Sequence, residues 1–310
     1  MKALSLLSVL AAMPLASCAT IRNYELLQDY EITLASSNPE DTTVTATTAT
    51  TDAQDKPGTI LSAFFGLDDA LPGFSDKAIC DGAGGMDGMP VIFSHELDVV
   101  TMQAGDFKVT TASGKTGGVH CVTLAPADDK GELRTALLVG HYGSLEDQPV
   151  KVEIVGNLLS IDGSINFRGK AATVIPLEDG PTIILAELVP KDRMELGKPA
   201  TELPFGGGSG CPVGTRQVVN VVWVGGVTKV GGDDADDKER ALYKVTVRQA
   251  DGREDLVTPF ELADLGDGDN NHRLCLDVDG QPTSVFFPAG HLKDPRADPN
   301  PDTTMVITAP

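Results

Sequence analysis

The chain is poor in aromatic residues and in basic residues. Phe, Tyr and Trp make up 5% of its 310 residues, with a single Trp, and Lys and Arg number 24 against 45 Asp and Glu. The resulting formal net charge of −21 repels phosphates and anionic lipid headgroups. These shortages exclude nucleic acid as a default partner, and they exclude binding to a membrane surface through basic patches.

Long hydrophobic runs are also scarce, and the mean hydropathy of −0.04 excludes a polytopic membrane protein. Hydrophobic residues still reach 41%, which is enough for the core of one large domain or of two ordinary ones. Val and Thr are plentiful, together with 33 Gly and 20 Pro. This composition favours strands and turns over helices.

The chain begins like an exported protein. Lys2 precedes a mostly apolar run over residues 3–16, which is too short to span a membrane and has the shape of a secretory signal core. The run ends in Leu15-Ala16-Ser17-Cys18. The small residues suit a signal peptidase, and the thiol that follows them can take a diacylglycerol.

These four residues resemble the lipobox of bacterial lipoproteins. The resemblance implies a signal peptide at residues 1–17, a lipid on Cys18, and contact with a membrane through that lipid alone. Because Ala19 rather than Asp follows the cysteine, it also implies the outer membrane as the place in the cell envelope. An ordinary cleaved signal with an incidental cysteine is the alternative interpretation.

Cysteine usage agrees with export. Besides Cys18, the chain has four cysteines, namely Cys80, Cys121, Cys211 and Cys275. An even number in an exported chain predicts two disulfides. Four cysteines allow three pairings, and their spacing alone does not choose between them.

A tether and a linker divide the rest of the chain. Residues 18–58 are predicted to be a flexible tether, because Thr fills seven of the ten positions 42–51 and such a segment buries little apolar surface. The Gly-rich stretch 201–210 predicts a linker. These breaks predict a first domain over residues 59–200 and a second over residues 211–310.

Hydrophobic periodicity predicts strands in both domains and one helix. Apolar residues at helical spacing, with Thr59 as a cap and Pro72-Gly73 as a stop, predict a short leading helix over residues 59–71. Short alternating segments separated by turns predict antiparallel β-sandwiches. These segments are 91–93, 107–110, 119–122, 136–139, 150–155 and 182–189, then 218–224, 243–247, 274–276, 284–287 and 304–308.

The first domain carries a series of short motifs between residues 91 and 165. They are Val91-Ile92-Phe93-Ser94, Leu97-Asp98, Thr101-Met102, Asp106-Phe107 and Val109-Thr110, with a looser match over 150–159 and Asp162-Gly163. The series resembles the bacterial Ig-like domain of the surface-layer type. That resemblance implies a spacer or adhesive module without catalytic residues. We therefore expect an all-β protein with two antiparallel Ig-like β-sandwich domains in tandem.

A faint repeat relates the two domains. Residues 98–101 resemble residues 255–258, and a Phe, a His and a Cys follow in similar order in each half. If the domains are duplicates, each closes its own disulfide. The pairs are then Cys80 with Cys121 and Cys211 with Cys275.

Two groups of residues are candidate metal ligands. His120, His141, His272 and His291 occupy matching places in the two halves, which raises a Zn or Cu hypothesis. No two of them lie at i, i+2 or i, i+4, and this spacing favours polar residues at strand ends instead.

The acidic loop 264–271 is the second group and a candidate Ca²⁺ site. Asp and Asn alternate with Gly there, so their oxygens can converge on a hard cation. The spacing fails the EF-hand pattern, and a solvated acidic turn is the alternative. The predicted ligands are Asp264, Asp267, Asp269 and Asn271, with Asp277 and Asp279 from the segment that follows.

Two functions are consistent with the sequence. The first is a non-catalytic, lipid-anchored protein of the cell envelope that acts as a binding or structural module, with a protein or a glycan as its ligand. The second is a secreted hydrolase or carbohydrate-active protein of the β-sandwich type, either with or without Ca²⁺. Converging histidines and carboxylates in an open cleft would favour the second function.

Overall fold

The structure, a computed structural model, describes residues 58–200 and 207–309. The predicted signal peptide, Cys18, and the predicted tether up to residue 57 lie outside the described residues. So do residues 201–206 of the predicted linker. Within the described parts, no helix has the length and apolar character needed to cross a membrane.

The described residues form an all-β protein, as predicted, with two short helices, Ser75–Ala78 and Asp237–Leu242. The first seven strands are β1 (Ile60–Phe64), β2 (Asp87–Phe93), β3 (Phe107–Thr111), β4 (Thr116–Thr123), β5 (Thr135–His141), β6 (Pro149–Ile154) and β7 (Ala171–Ile175). Ten more follow: β8 (Ile183–Leu188), β9 (Gln217–Trp223), β10 (Thr228–Lys229), β11 (Lys244–Arg248), β12 (Glu254–Val257), β13 (Glu261–Ala263), β14 (Asn271–Leu276), β15 (Gln281–Phe287), β16 (Leu292–Lys293) and β17 (Thr303–Thr308).

Strands β1 to β7 close into a barrel instead of the predicted first sandwich. The strand order is β1-β2-β5-β4-β3-β6-β7. The barrel closes where β1, antiparallel to β2, runs parallel to β7, with Ala63 opposite Val174. Full closure leaves no unpaired edge in this part of the molecule. The segment that resembles an Ig-like domain therefore supplies barrel strands.

The predicted leading helix over residues 59–71 is wrong, because its first half is strand β1. Ala63, Phe64 and Phe65 are all fully buried in succession. Ala63 and Phe65 belong to the barrel core, whereas Phe64 lies against Gly225 on the outside of the barrel. A strand covered on both faces reads as a continuous apolar run, which periodicity alone does not distinguish from a helix.

The second body is one eight-stranded sheet with the order β12-β11-β15-β17-β8-β9-β14-β13. It is not purely antiparallel, since β17 runs parallel to β8. The sheet curls around a core to which both its halves contribute, including Val221 and Leu274 from one half and Val245 and Val285 from the other. The predicted pair of antiparallel sandwiches is therefore replaced by a closed barrel and a curled sheet.

Strand β8 corrects the predicted extent of the first domain. We expected residues up to 200 to belong with the first set of strands, yet β8 pairs with β9 and β17. Ile183 and Ala186 of β8 pack in the second core. The chain therefore crosses from the barrel to the second sheet over residues 176–182, before the Gly-rich stretch.

Both disulfides are formed within the bodies expected from the repeat. Cys80, after the first helix, is bonded to Cys121 on β4, and Cys211, before β9, is bonded to Cys275 on β14. The duplication itself does not hold in the fold. Residues 99–101 form a 3-10 turn, whereas two of their three proposed counterparts, 256 and 257, lie in β12, and the two strand orders differ.

A buried hydrogen-bond chain crosses the second core. Trp223 Nε1 donates to the Tyr243 hydroxyl over 3.1 Å, and that hydroxyl lies 2.7 Å from His272 Nδ1. Burial lowers the pKa of His272 to about 4, so the imidazole is neutral and Nδ1 can accept. The hydroxyl of Tyr243 therefore satisfies two buried groups at once.

We expect Tyr243→Phe to lower the free energy of unfolding by about 1–3 kcal/mol, because it leaves the Trp223 and His272 nitrogens without their shared partner. Tyr142→Phe is the matched control, since the Tyr142 hydroxyl is equally buried and donates to one carbonyl, that of Leu138, over 2.9 Å. Urea unfolding followed by Trp fluorescence or circular dichroism measures both. A loss no larger than that of the control would contradict the prediction.

Candidate cation site

Two loops from the two bodies meet at a buried group of carboxylates. One loop lies between β4 and β5 and carries Asp129 and Glu132. The other lies between β13 and β14 and carries Asp264, Asp267 and Asp269. The second loop turns tightly, with positive φ at Asp264 as well as at Gly266 and Gly268, and this curvature points several acids to one place. We call these five acids the acid cluster.

Arg273, on β14, joins the two loops. Its Nη2 donates to Glu132 Oε1 over 2.6 Å and to the Lys130 carbonyl over 3.0 Å. Its Nη1 donates to Glu195 over 3.4 Å. Because Glu132 and Lys130 belong to the barrel, this side chain ties the barrel to the second sheet. Arg134 and Glu187 form another link between the bodies, at 2.6 Å.

Four of the five acids in the acid cluster are almost completely removed from solvent, and the side chain of the fifth, Asp129, is 14% exposed. Exposed fractions are 0% for Glu132, 1% for Asp264, 2% for Asp267 and 7% for Asp269, and Arg273 is 4% exposed. Carboxylates are seldom buried to this extent unless they are paired or bind a metal. The cluster therefore needs protons on its carboxyl groups or positive charge beyond what one arginine supplies.

Asp264 is the centre of the acid cluster. One oxygen each from Asp129, Asp264 and Asp267 lie within 4.8 Å of one another, and the same holds for Glu132, Asp264 and Asp269. Two sets of three ligand atoms thus share Asp264. A spacing of this kind is compatible with one hard cation between several carboxylates.

Hydrogen bonds account for some of these oxygens and not for others. Asp269 accepts from the Asn271 backbone over 2.8 Å and from Asn271 Nδ2 over 2.6 Å. Both carboxylate oxygens of Asp264 and Oε2 of Glu132 have no hydrogen-bond donor. The nearest guanidinium nitrogen to Asp264, Nε of Arg273, is 3.9 Å away, which is too far for a hydrogen bond.

The titration of the acid cluster follows from this burial. Burial, together with the negative charges of Asp264 and Asp269, raises the pKa of Glu132 well above its ordinary range. Burial and the charge of Asp267 raise the pKa of Asp269 in the same way. Without a cation, the interior therefore favours protonated over ionised carboxyls at this place.

The end of the Gly-rich stretch covers the acid cluster. Gly208 N donates to Asp129 Oδ2 over 2.9 Å, and Asp264 N donates to the Ser209 carbonyl over 2.8 Å. A Cβ added at Gly208 would lie 2.5 Å from Asp264 Oδ1, so only glycine allows this approach. Residues 207–209, which we predicted to be part of a linker, thus form one wall of the site.

The structure unites four of the six predicted ligands. Asp264, Asp267, Asp269 and Asn271 all lie in the buried loop or at the start of β14. Asp277 and Asp279 are not part of the site, because β14 continues in an extended conformation and carries them to its opposite end. Asp279 is exposed there and pairs with Arg216.

Sequence reasoning missed the contributions of the barrel. Asp129 and Glu132 were not predicted as ligands, and Arg273 was not predicted at all. The available signal is the charged run Asp128-Asp129-Lys130-Gly131, followed by Glu132, which is typical of a turn between two strands. Such a run indicates a turn correctly without indicating what packs against it.

The four histidines do not form a common metal site, since each has its own local partner. His120 contacts the Asp81 carbonyl, His141 lies 3.2 Å from Asp69, His272 contacts Tyr243, and His291 packs against Phe287. Asp87 lies close to the second of these pairs. Its oxygens already accept from the backbone nitrogens of Asp69, Tyr142 and Gly143.

No protein-family model matches the chain, and no curated protein matches it. Among solved structures, the chain is similar to the N-terminal part of the bacterial S-layer protein SbsC, with 12% identity and a TM-score of 0.26 over 81% of this chain and 44% of that one. It is also similar to domains 1–6 of the SbsC surface-layer protein, with 11% identity and a TM-score of 0.28 over 81% of this chain and 26% of that one. The chain thus spans less than half the length of either structure. A likeness of this size identifies neither a family nor a function.

Proposed function

We propose that this protein is a non-catalytic module of the bacterial cell envelope, held at the outer membrane by a lipid on Cys18. The observation that carries the proposal is the pair of disulfides, one in each β body. Disulfides persist in oxidising compartments and are rare in the cytosol. Together with the Leu15-Ala16-Ser17-Cys18 pattern, they support an exported and anchored protein.

A structural or binding role is supported by the position of the acid cluster. Hydrolysis by paired carboxylates requires the acids to reach a substrate in a cleft. Here Glu132, Asp264 and Asp269 are 7% exposed or less and lie where the barrel meets the second sheet. This arrangement suits holding the two bodies together. A protein or glycan partner in the envelope would then bind elsewhere on the surface.

The anchor is tested by cell fractionation together with metabolic labelling with palmitate. We expect the wild-type chain to take up the label and to enter the membrane fraction, and Cys18→Ala to take up no label. Ser17→Ala is the matched control, since it keeps a small residue before the cysteine and should behave like the wild type. Palmitate on Cys18→Ala, or a wild-type chain without palmitate, would contradict the proposal.

The oxidised state is tested on the same purified chain. With Cys18 acylated and four cysteines in disulfides, a maleimide should label no cysteine in the denatured, unreduced protein. After reduction it should label the four disulfide cysteines. Free thiols before reduction would contradict an exported, disulfide-bonded protein.

A further inference from the structure

We propose that one Ca²⁺ ion binds in the acid cluster and bridges the barrel to the second sheet. Asp264 is the central ligand, and Glu132 is the ligand from the barrel. The other three acids of the cluster surround these two. This site goes beyond the proposed function, because it does not depend on whether the chain carries a lipid.

The first argument is the state of two buried carboxylates. Asp264 is 99% buried and Glu132 is fully buried, yet three of their four oxygens have no hydrogen-bond donor. Asp264 and Glu132 each place an oxygen within 4.8 Å of the other and of Asp269. A buried carboxylate oxygen that has no hydrogen-bond donor requires a cation or a proton.

The second argument is the balance of charge. Four buried carboxylates, those of Glu132, Asp264, Asp267 and Asp269, lie against one buried cation, Arg273. Three negative charges remain unbalanced when all four are ionised. One Ca²⁺ ion reduces this excess to a single charge, and Lys198, 3.4 Å from Asp129, offsets the charge of that fifth acid at the rim.

The chemistry of the ligands selects Ca²⁺. The acid cluster offers oxygens alone, which suit hard cations and disfavour Zn²⁺ and Cu²⁺. Its ligands come from two loops of separate bodies. Ca²⁺ accepts six to eight oxygens in irregular geometry, whereas Mg²⁺ demands near-octahedral geometry and retains water, for which this buried site leaves little access.

The position of the ligands gives the ion a structural role. Glu132 lies in the barrel and Asp264 in the second sheet, 132 positions apart in the chain. The complete ligand set exists only when the two bodies are in contact. Binding therefore stabilises their association by mass action, and removal of the ion loosens it.

The test uses the full mature chain, purified in detergent and treated with a chelator that is then removed. Titration calorimetry with CaCl₂ should show one site per chain, and the melting temperature should be higher in excess Ca²⁺ than in excess chelator. Absence of both binding and the shift would overturn the proposal. An equal shift with the same concentration of MgCl₂ would overturn the assignment to Ca²⁺.

Variants from each side of the site test the bridge. We expect Asp264→Asn and Glu132→Gln each to weaken Ca²⁺ binding by about tenfold or more, since each removes a charged ligand. Asp129→Asn is a second barrel variant, which leaves the Arg273–Glu132 contact in place and keeps an acceptor for Gly208 N. If Glu132→Gln does not fold, the Ca²⁺ affinity of Asp129→Asn is measured in its place.

The matched control is the double variant Asp277→Asn/Asp279→Asn, which removes two acids from the other end of β14. It should bind Ca²⁺ as the wild type does. Loss of binding in Asp264→Asn with wild-type affinity in the barrel variants would show a site confined to the loop 264–271 and would overturn the bridge. A weakened control would overturn the assignment of ligands.

Discussion

Arg273→Met should lower the free energy of unfolding by about 3–5 kcal/mol, the loss typical of removing one partner from a buried ion pair. The side chain is 4% exposed and donates to Glu132 Oε1 over 2.6 Å and to the Lys130 carbonyl over 3.0 Å. Met fills a similar volume, so the loss reports the missing charge and hydrogen bonds more than a cavity. In the Ca²⁺-free protein, the carboxylate of Glu132 would remain buried without the guanidinium group that it accepts from.

The matched control for this variant is Arg216→Met. Arg216 also pairs with a carboxylate, that of Asp279, but both side chains are more than half exposed. Exposed ion pairs contribute about 0–1 kcal/mol, so the control should unfold nearly as the wild type does. Urea unfolding of both variants and the wild type in excess chelator, where no Ca²⁺ offsets the charge of Glu132, gives the comparison. A loss below about 1 kcal/mol for Arg273→Met would contradict a stabilising buried ion pair between Arg273 and Glu132.

Several strands could be predicted from the sequence. The predicted segments 150–155, 218–224 and 243–247 correspond to β6, β9 and β11 within a residue or so at each end. In β11 and over residues 151–154 of β6, buried apolar residues alternate with exposed or half-buried polar residues, which leaves a period of two in the sequence. Strand β9 is buried on both faces, and its run of Val residues indicates a strand without alternation. Strand β1 escaped prediction because it has no alternation of this kind and its apolar residues also fit helical spacing.

The pairing of strands could not be predicted in the same way. The alternation of apolar and polar residues within a strand indicates which of its faces is buried, but it does not indicate which strand pairs with it. Strand β8 pairs with β17, more than a hundred residues later, and the Ile183 amide donates to the Thr303 hydroxyl across this gap. Closure of the barrel by β1 and β7 is a contact of the same kind. Because neither pairing could be predicted, the sequence led to the simpler expectation of two β-sandwich domains in tandem.

In the candidate site, too, local features could be predicted from the sequence and long-range contacts could not. The loop 264–271 could be found from the sequence, because alternating Asp, Asn and Gly residues are local. The contact between Glu132 and Arg273 could not be found in this way, because the two residues are 141 positions apart in the chain and belong to different bodies. Asp277 and Asp279 were included because they are near in sequence, although an extended strand of six residues separates them from the loop.

The disulfide of the second body should have the other large effect on stability. Cys211 and Cys275 are both fully buried, and their bridge closes a loop of 64 residues. In the chain-entropy model, a loop of this size corresponds to about 4 kcal/mol at 25 °C, because the cross-link restricts the unfolded chain. We expect the double variant Cys211→Ala/Cys275→Ala to lose about that amount, which is comparable with the net stability of many domains.

The local structure gives this bridge a further consequence. It fixes β14 beside the start of β9, and β14 carries Arg273 and begins at Asn271, next to the acid cluster. Its removal should therefore also increase amide hydrogen exchange in the loop 264–271. The matched comparison is Cys80→Ala/Cys121→Ala, whose loop of 41 residues predicts a similar loss of stability but whose bridge lies in the barrel. Equal exchange in the loop 264–271 for both double variants would show that the Cys211–Cys275 bridge acts on the unfolded chain alone and does not support the site.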